Sequence, residues 1–118
     1  MKATKLLIAA ILTLSCMVQV TKYGLSSNDY YRLKTESKNG GIADFNSKLK
    51  NDPNQVYIVK DIGRWFNKND YAALQWGMFV NKLGVTNPDS LILLYKEIHG
   101  YSIAESTLKA LRISIENK

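Results

Sequence analysis

The side chains that could do acid–base chemistry are few, and the chain contains a single histidine, His99. A serine nucleophile needs a histidine base within hydrogen-bond reach, so any such arrangement would have to use His99. This residue ends a predicted helix, where the dipole favours an imidazolium, and a capping role is the simpler interpretation. Glycan hydrolysis needs two carboxylates roughly 5–9.5 Å apart. No spacing singles out a pair among the candidates Asp61, Asp70, Glu97 and Glu105.

Other catalytic and ligand-binding patterns are also weak. Two Ser-x-x-Lys strings, at Ser47 and Ser106, have the spacing of penicillin-binding enzymes, but the companion Ser-Asp-Asn and Lys-Thr-Gly motifs are missing. Metal sites draw on clustered Cys, His and carboxylate ligands, and this sequence has no such cluster. Asn39-Gly40-Gly41 is too short for a phosphate-binding loop and is typical of a helix end. We therefore expect no catalytic residues, no metal and no cofactor.

The first twenty residues are the most informative part of the chain. Lys2 and Lys5 precede an apolar run over residues 6–20, and the next charged residue is Lys22. A membrane-spanning helix needs roughly 20 apolar residues, and this run is shorter and includes Thr, Ser and Gln. The layout predicts a cleaved export signal over residues 1–20. A retained membrane anchor and a buried core helix are the alternatives.

A single cysteine, Cys16, lies near the end of this run. The string Leu12-Thr13-Leu14-Ser15-Cys16 is similar to the lipobox of bacterial lipoproteins, with Ser15 before the cysteine. It departs from that pattern at Thr13 and Leu14, where lipoproteins usually carry leucine and a small residue. The resemblance implies a lipid on Cys16. The alternative is that Cys16 is an ordinary apolar residue of the signal, because a free cysteine packs as a hydrophobe.

Composition points to one domain, residues 21–118, in the bacterial cell envelope. With one cysteine the chain cannot form an internal disulfide, and small secreted eukaryotic domains usually depend on disulfides. Without Lys2 and Lys5, 14 of the 16 basic residues remain against 10 acidic ones, and they are scattered. Their density is higher between Lys34 and Lys68, which could favour an anionic surface, although a solvated face is the simpler interpretation.

Residues 94–114 have the layout of the first part of a helix-turn-helix. We interpret them as a plain helical hairpin, because the export signal points away from DNA. We therefore expect no nucleic-acid partner.

Periodicity and capping residues predict an all-α domain of about five short helices. Ser26 or Ser27 should cap the first helix, over residues 28–38, and residues 22–27 should form a tether before it. Asn69 or Asp70 should cap a hub helix that is apolar on most sides. Asn87-Pro88 should start the next helix, and a capping box from Ser102 to Glu105 the last. The predicted helices after the first cover residues 42–50, 55–66, 71–83, 88–98 and 103–115.

Two features of these elements remain open from sequence alone. Residues 56–59 have strand composition, but Val56, Val59, Ile62 and Phe66 also follow a helical spacing. We prefer a helix, because no second convincing strand is available to satisfy a lone strand's hydrogen bonds. Gly77, inside the hub helix, costs about 1 kcal/mol relative to alanine. A close helix–helix crossing would explain its presence.

The strongest candidate for a binding surface is Arg64-Trp65-Phe66, because aromatic and arginine side chains are common interface anchors. On a helix, Trp65 and Phe66 cannot both face the core, so one should be exposed or at an edge. The alternative is core packing of both. Together with Tyr71, these residues form the predicted partner-binding site.

From these observations we expect an exported bacterial or phage protein that acts in the envelope by binding another protein. It would be an inhibitor, immunity, exclusion or accessory factor, either periplasmic or tethered to the membrane by a lipid on Cys16. A small membrane-anchored protein with an uncleaved N-terminal helix and a small cell-wall enzyme are the alternatives.

Intact mass spectrometry of the protein purified from cell envelopes tests the N-terminal interpretation. We expect the mass of residues 16–118, because the small residues Thr13 and Ser15 allow a cut before Cys16. Any lipid on Cys16 adds to that mass in the same spectrum, and Cys16→Ser should remove the addition. A full-length, unmodified mass would contradict the prediction of cleavage.

Overall fold

The computed structural model describes residues 20–116, so the predicted export segment and Cys16 lie outside the described residues. Helices dominate this part of the chain, and a small two-stranded sheet lies among them. In chain order the elements are α1 (Ser27–Glu36), a 3-10 turn (Asn46–Lys48), β1 (Tyr57–Val59), β2 (Arg64–Phe66), α2 (Lys68–Leu83), α3 (Pro88–His99) and α4 (Glu105–Glu116). None of the helices within residues 20–116 is long and apolar enough to cross a membrane.

Local capping chemistry sets several helix ends where the sequence predicts them. Ser26 caps α1, and its side-chain oxygen accepts a hydrogen bond from the Asp29 amide at 3.1 Å. Asn87 caps α3 in the same way, with Pro88 at the first helical position and Gly100 at the end. The start of α2 differs from the prediction, because Asn67 is the cap and accepts from the Asp70 amide at 2.8 Å.

The start of α4 also differs from the predicted capping box. The Ala104 carbonyl accepts hydrogen bonds from the amides of Thr107 and Leu108, and the helix begins at Glu105. Glu105 therefore lies in the first turn, where its charge complements the helix dipole, and not at the third helical position that a Ser102 cap requires.

The predicted helix over residues 55–66 is wrong, and with it the all-α class. These residues form an antiparallel hairpin in which Ile58 pairs with Trp65, and Val59 pairs with Arg64. Gly63, at φ +71°, provides the left-handed residue that ends the four-residue loop 60–63. The second strand, which was not predicted from the sequence, is Arg64–Phe66, so both strands satisfy hydrogen bonds through each other.

The predicted helix over residues 42–50 is reduced to the 3-10 turn Asn46–Lys48. The Asp44 carboxylate accepts a hydrogen bond from the Gly40 amide at 2.9 Å and a longer one from the Ser47 amide. Such local side-chain bonds compete with helical ones. The Gly40 hydrogen bond is also the main reason that the pKa of Asp44 lies below its ordinary value. Ile42, expected on an apolar stripe, is exposed.

The hub of the described domain is α2, as predicted. Its buried residues include Leu74, Trp76 and Val80, and it packs most extensively against α4. The Trp76 indole N–H donates to the Ser37 hydroxyl at 3.0 Å, so this large buried ring leaves no unsatisfied donor. The hairpin formed by α3 and α4 packs against the hub as expected, with Leu91, Leu94 and Leu111 in the shared core.

A close crossing of α2 and α4 occurs at Gly77, as its position inside a buried helix predicts. A Cβ atom on Gly77 would lie 2.7 Å from the Ser114 Cβ and 3.3 Å from the Leu91 Cδ2. Rotating the Ser114 hydroxyl would not relieve this overlap, because the Cβ belongs to the fixed part of the side chain. Glycine is therefore required for the two helices to approach this closely.

The expected tether over residues 22–27 is instead part of the domain. Leu25 is fully buried and Tyr23 is nearly so, and both belong to the core. The Tyr23 ring also stacks on Tyr30 of α1, at 6.0 Å between centroids. Residues 22–27 are therefore anchored by burial of apolar side chains. Their glycine and serine residues did not indicate this.

Replacing Gly77 by alanine tests the crossing. On an unconstrained helix Gly→Ala would stabilise by about 1 kcal/mol, but here overpacking against Ser114 should lower the free energy of unfolding by about 1–3 kcal/mol. Urea denaturation measures this change. Lys82→Ala, at an exposed position of the same helix, is the control and should change stability by less than about 0.5 kcal/mol. A more stable Gly77→Ala protein would exclude the close crossing.

Candidate functional site

The hairpin brings most of the predicted binding residues to one edge of the domain but gives them different roles. Trp65 is 68% exposed, and its cross-strand neighbour Ile58 is 73% exposed. Arg64 is also exposed. We call Ile58 and Trp65 the hairpin face, whereas Arg64, one residue earlier in β2, points to the other side of the sheet. Phe66 is only 7% exposed and packs into the core.

Strand alternation explains this division between neighbouring aromatic residues. Successive side chains of a strand point to opposite sides of the sheet, so Trp65 and Phe66 cannot share a surface. Phe66 and its partner Tyr57 face the interior, while Trp65 and Ile58 face outward. Core packing of both rings, which the sequence left open, does not occur, because Phe66 is buried and Trp65 is exposed.

Tyr71, the fourth predicted residue, mainly holds the hairpin in place. Its ring stacks on Tyr57 with 4.5 Å between centroids and 1° between ring planes. This stack joins the first turn of α2 to β1, and it leaves Tyr71 half-buried. The hairpin face is thus presented on a supported element, because Phe66 and Tyr57 attach its inner side to the helical core.

An open groove of about 200 Å³ lies beside the hairpin face, between β2 and α4. Arg64, Trp65 and Phe66 line one wall of the groove. The other wall comes from α4 and includes Lys109, Ala110 and Ile113. Trp65 and Phe66 point to opposite sides of the sheet yet line the same groove. The groove therefore runs along the outer edge of β2.

The electrostatics of this groove are set by cations without partners. Arg112 and Asp89, 3.2 Å apart, form the one ion pair found in residues 20–116, so Arg64 and Lys109 are not neutralised by a carboxylate. The acidic group that lines the groove is Asp70, which is buried and accepts a hydrogen bond from the Thr107 hydroxyl at 2.7 Å. The accessible charge along the groove is therefore positive.

A second concavity, of about 80 Å³, surrounds the aromatic cluster of Trp76, Tyr95 and His99. The His99 ring stacks on Tyr95 at 4.1 Å and meets the edge of Trp76 at 5.3 Å. One side of the ring stays open to solvent. The loss of water from the packed side lowers the pKa of His99, against the opposing effect of the Tyr95 carbonyl. Burial therefore opposes protonation of this ring, whereas the helix dipole alone would favour it.

Two of the carboxylates considered for catalysis, Glu97 and Asp70, have structural partners. Glu97 accepts a hydrogen bond from the Tyr30 hydroxyl at 2.8 Å, which links α3 to α1. This hydrogen bond is the main reason that the pKa of Tyr30 rises to about 12. Asp70 is engaged by Thr107 as described. Residues 20–116 also contain no group of three or more potential metal ligands.

Ile58 on the hairpin face and the α4 residues of the groove were not among the binding residues predicted from the sequence. Ile58 could have been found by reading residues 56–66 as two runs joined by a short loop ending in Gly63, since a glycine before the second strand is a hairpin signal. The contribution of Lys109 and Ile113 could not have been found in this way, because α4 lies some forty residues along the chain from β2.

Comparisons with known protein families, with curated proteins and with solved structures found no match to this chain.

Paired substitutions in β2 test the division between surface and core. Trp65→Ala should lower the free energy of unfolding by less than about 1 kcal/mol, because it removes only an exposed cross-strand contact with Ile58. Phe66→Ala should cost about 3–5 kcal/mol or abolish cooperative unfolding, because it empties a buried site. Urea denaturation followed by circular dichroism measures both values. Similar losses for the two variants would contradict the strand assignment.

Proposed function

We propose that this protein is exported to the bacterial envelope and acts there by binding a protein partner through the hairpin face. The observation that carries the proposal is the outward pair of Trp65 and Ile58, both more than two-thirds exposed on a supported hairpin. Arg64, the residue before Trp65 in β2, is also exposed but points to the opposite side of the strand. Tryptophan and arginine are the residues most often found at the energetic centre of protein interfaces.

The cost of exposing these side chains supports a binding role. A large apolar side chain gains roughly 1.5–3 kcal/mol on full burial, and this hairpin leaves two of them in water side by side. Single exposed apolar residues are ordinary on protein surfaces, whereas adjacent exposed apolar residues form a patch, and exposed apolar patches often mark interaction sites. The hairpin's inner residues, Phe66 and Tyr57, already attach it to the core, so stability does not require Trp65.

The concavities of residues 20–116 favour a macromolecular partner over a small ligand. Sites for small molecules usually measure about 300–1,000 Å³ and enclose most of the ligand. The groove beside β2 is about 200 Å³ and open, and the cavity at His99 is about 80 Å³. A larger open depression, of about 590 Å³, lies between residues 46–53 and the start of α2, and its lining is almost entirely polar, unlike the mostly apolar lining of small-molecule sites. Under this proposal the protein is an inhibitor, immunity, exclusion or accessory factor, either free in the periplasm or held at the membrane by a lipid on Cys16.

Affinity capture with chemical crosslinking in living cells tests the proposal. The whole chain, tagged at its C-terminus, is expressed in cells, and crosslinked envelope proteins are identified by mass spectrometry. We expect one or a few partners whose capture falls strongly in Trp65→Ala, because the interface loses its largest anchor. The matched control is Tyr101→Ala, since Tyr101 is 75% exposed and belongs to the loop between α3 and α4, outside both the hairpin and the groove lining.

The test depends on which variants lose capture of a partner, and not on whether a partner is captured. A partner lost in Trp65→Ala and retained in Tyr101→Ala supports binding through the hairpin face. Capture that is equal in wild type and Trp65→Ala contradicts it, whatever proteins are recovered. Circular dichroism of each variant verifies that the fold is unchanged.

A further inference from the structure

We propose that the partner contributes an extended acidic segment, which adds to the outer edge of β2 as a third strand and lies in the groove against α4. This inference rests on the proposed function and names the chemistry of the partner. Three independent features of the described residues carry it: the unpaired edge of β2, the apolar lining of the groove on α4, and its unpaired cations.

The unpaired edge comes from the sheet topology. Within residues 20–116 the sheet that contains β2 has two strands, so β1 covers one edge of β2 and no strand covers the other. An exposed edge presents backbone amides and carbonyls that can pair with an incoming peptide. Domains that bind peptides by strand addition use such an edge for affinity and adjacent pockets for side-chain selectivity.

The groove has the position and lining that strand addition requires. It runs along the unpaired edge of β2 because Trp65 and Phe66, which point to opposite sides of the sheet, both line it. Its far wall is α4, where Ala110 and Ile113 supply an apolar lining. Side chains of an added strand alternate between the two sides of the sheet. An alternating strand could therefore place carboxylates on the side of Arg64 and Lys109, and aliphatic residues beside Trp65 and Ile58 on the other side.

Charge complementarity favours an acidic segment. Arg64 stands on one wall of the groove and Lys109 on the other, and neither forms an ion pair in the described part of the chain. The carboxylate of Asp70 also lines the groove, but it is buried, accepts a hydrogen bond from Thr107 and forms no ion pair with either cation, so the donors of Arg64 and Lys109 stay free. Carboxylates on the incoming strand could therefore form charge-assisted hydrogen bonds with both residues.

The concave shape of the groove distinguishes binding of an acidic peptide from binding to an anionic membrane. A lipid surface would engage Trp65 and nearby basic residues without using the groove or the strand edge. An extended peptide would use the strand edge, the lining of the groove and the cations together. The two partners therefore make different demands on Lys109, which lies on α4 and not on the hairpin.

Titration with synthetic peptides tests this inference. Nitrogen-15-labelled protein, purified from cells that express the whole chain, is titrated with a short end-blocked peptide of alternating Glu and Val. We expect shifts of the backbone amides of Arg64, Trp65 and Phe66, and binding about tenfold tighter than that of the matching Lys–Val peptide. Methylating alternate amide nitrogens of the Glu–Val peptide should remove the binding, because those nitrogens can no longer pair with the edge.

Charge variants complete the test. Arg64→Gln combined with Lys109→Gln should weaken Glu–Val binding about tenfold, while the control Lys50→Gln with Lys82→Gln should not. Equal binding of the acidic and basic peptides, or no binding below about 1 mM, overturns the inference. Perturbation of β2 by phosphatidylglycerol vesicles but not by the Glu–Val peptide also overturns it, in favour of a membrane surface.

Capture of the natural partner distinguishes failure of this inference from failure of the proposed function. If Trp65→Ala abolishes its capture but the Arg64 and Lys109 double variant does not, the acidic strand is wrong and the protein-binding function stands. If Trp65→Ala has no effect on capture, the proposed function fails. Loss of capture in both variants, with retention in the Lys50 and Lys82 control, supports both.

Discussion

The close contact between α2 and α4 at Gly77 is the constraint on which the rest of the described domain depends. A glycine at this position lets Ser114 and Leu91 approach the α2 backbone, and it brings the apolar sides of α2, α3 and α4 into one core. Trp76 lies next to the crossing and is almost completely buried. Because protein interiors are close-packed, a small separation of the two helices would open space along this whole layer.

Specific polar contacts connect this apolar core to the surrounding elements. The Trp76 indole N–H reaches Ser37 just after α1, and Thr107 of α4 donates to Asp70 in the first turn of α2. Within residues 20–116, every buried side-chain nitrogen or oxygen has a hydrogen-bond partner. Burial of polar groups without partners costs free energy, so these contacts define which arrangement of the helices is acceptable.

The helical core and its polar contacts support the hairpin, which leaves the apolar side chains of Trp65 and Ile58 in contact with water. Phe66 and the stack of Tyr57 on Tyr71 attach its inner side to the core, so Trp65 is displayed without being needed for folding. The position of β2 beside α4 also creates the groove and leaves one strand edge uncovered. The same tertiary arrangement therefore produces the exposed anchor, the unpaired edge and the facing cations from which we infer a binding function.

Local rules were sufficient to predict the starts of α1 and α3, the end of α3 and the hub helix, because caps and helical periodicity act within a few residues. They failed at residues 55–66, where the spacing of Val56, Val59, Ile62 and Phe66 suits a helix and a looped hairpin equally well. Only pairing between strands, decided together with packing on α2, distinguishes the two. The groove could not be predicted from the sequence for the same reason. The elements β2 and α4 meet through the core, and periodicity carries no information about which distant elements become neighbours.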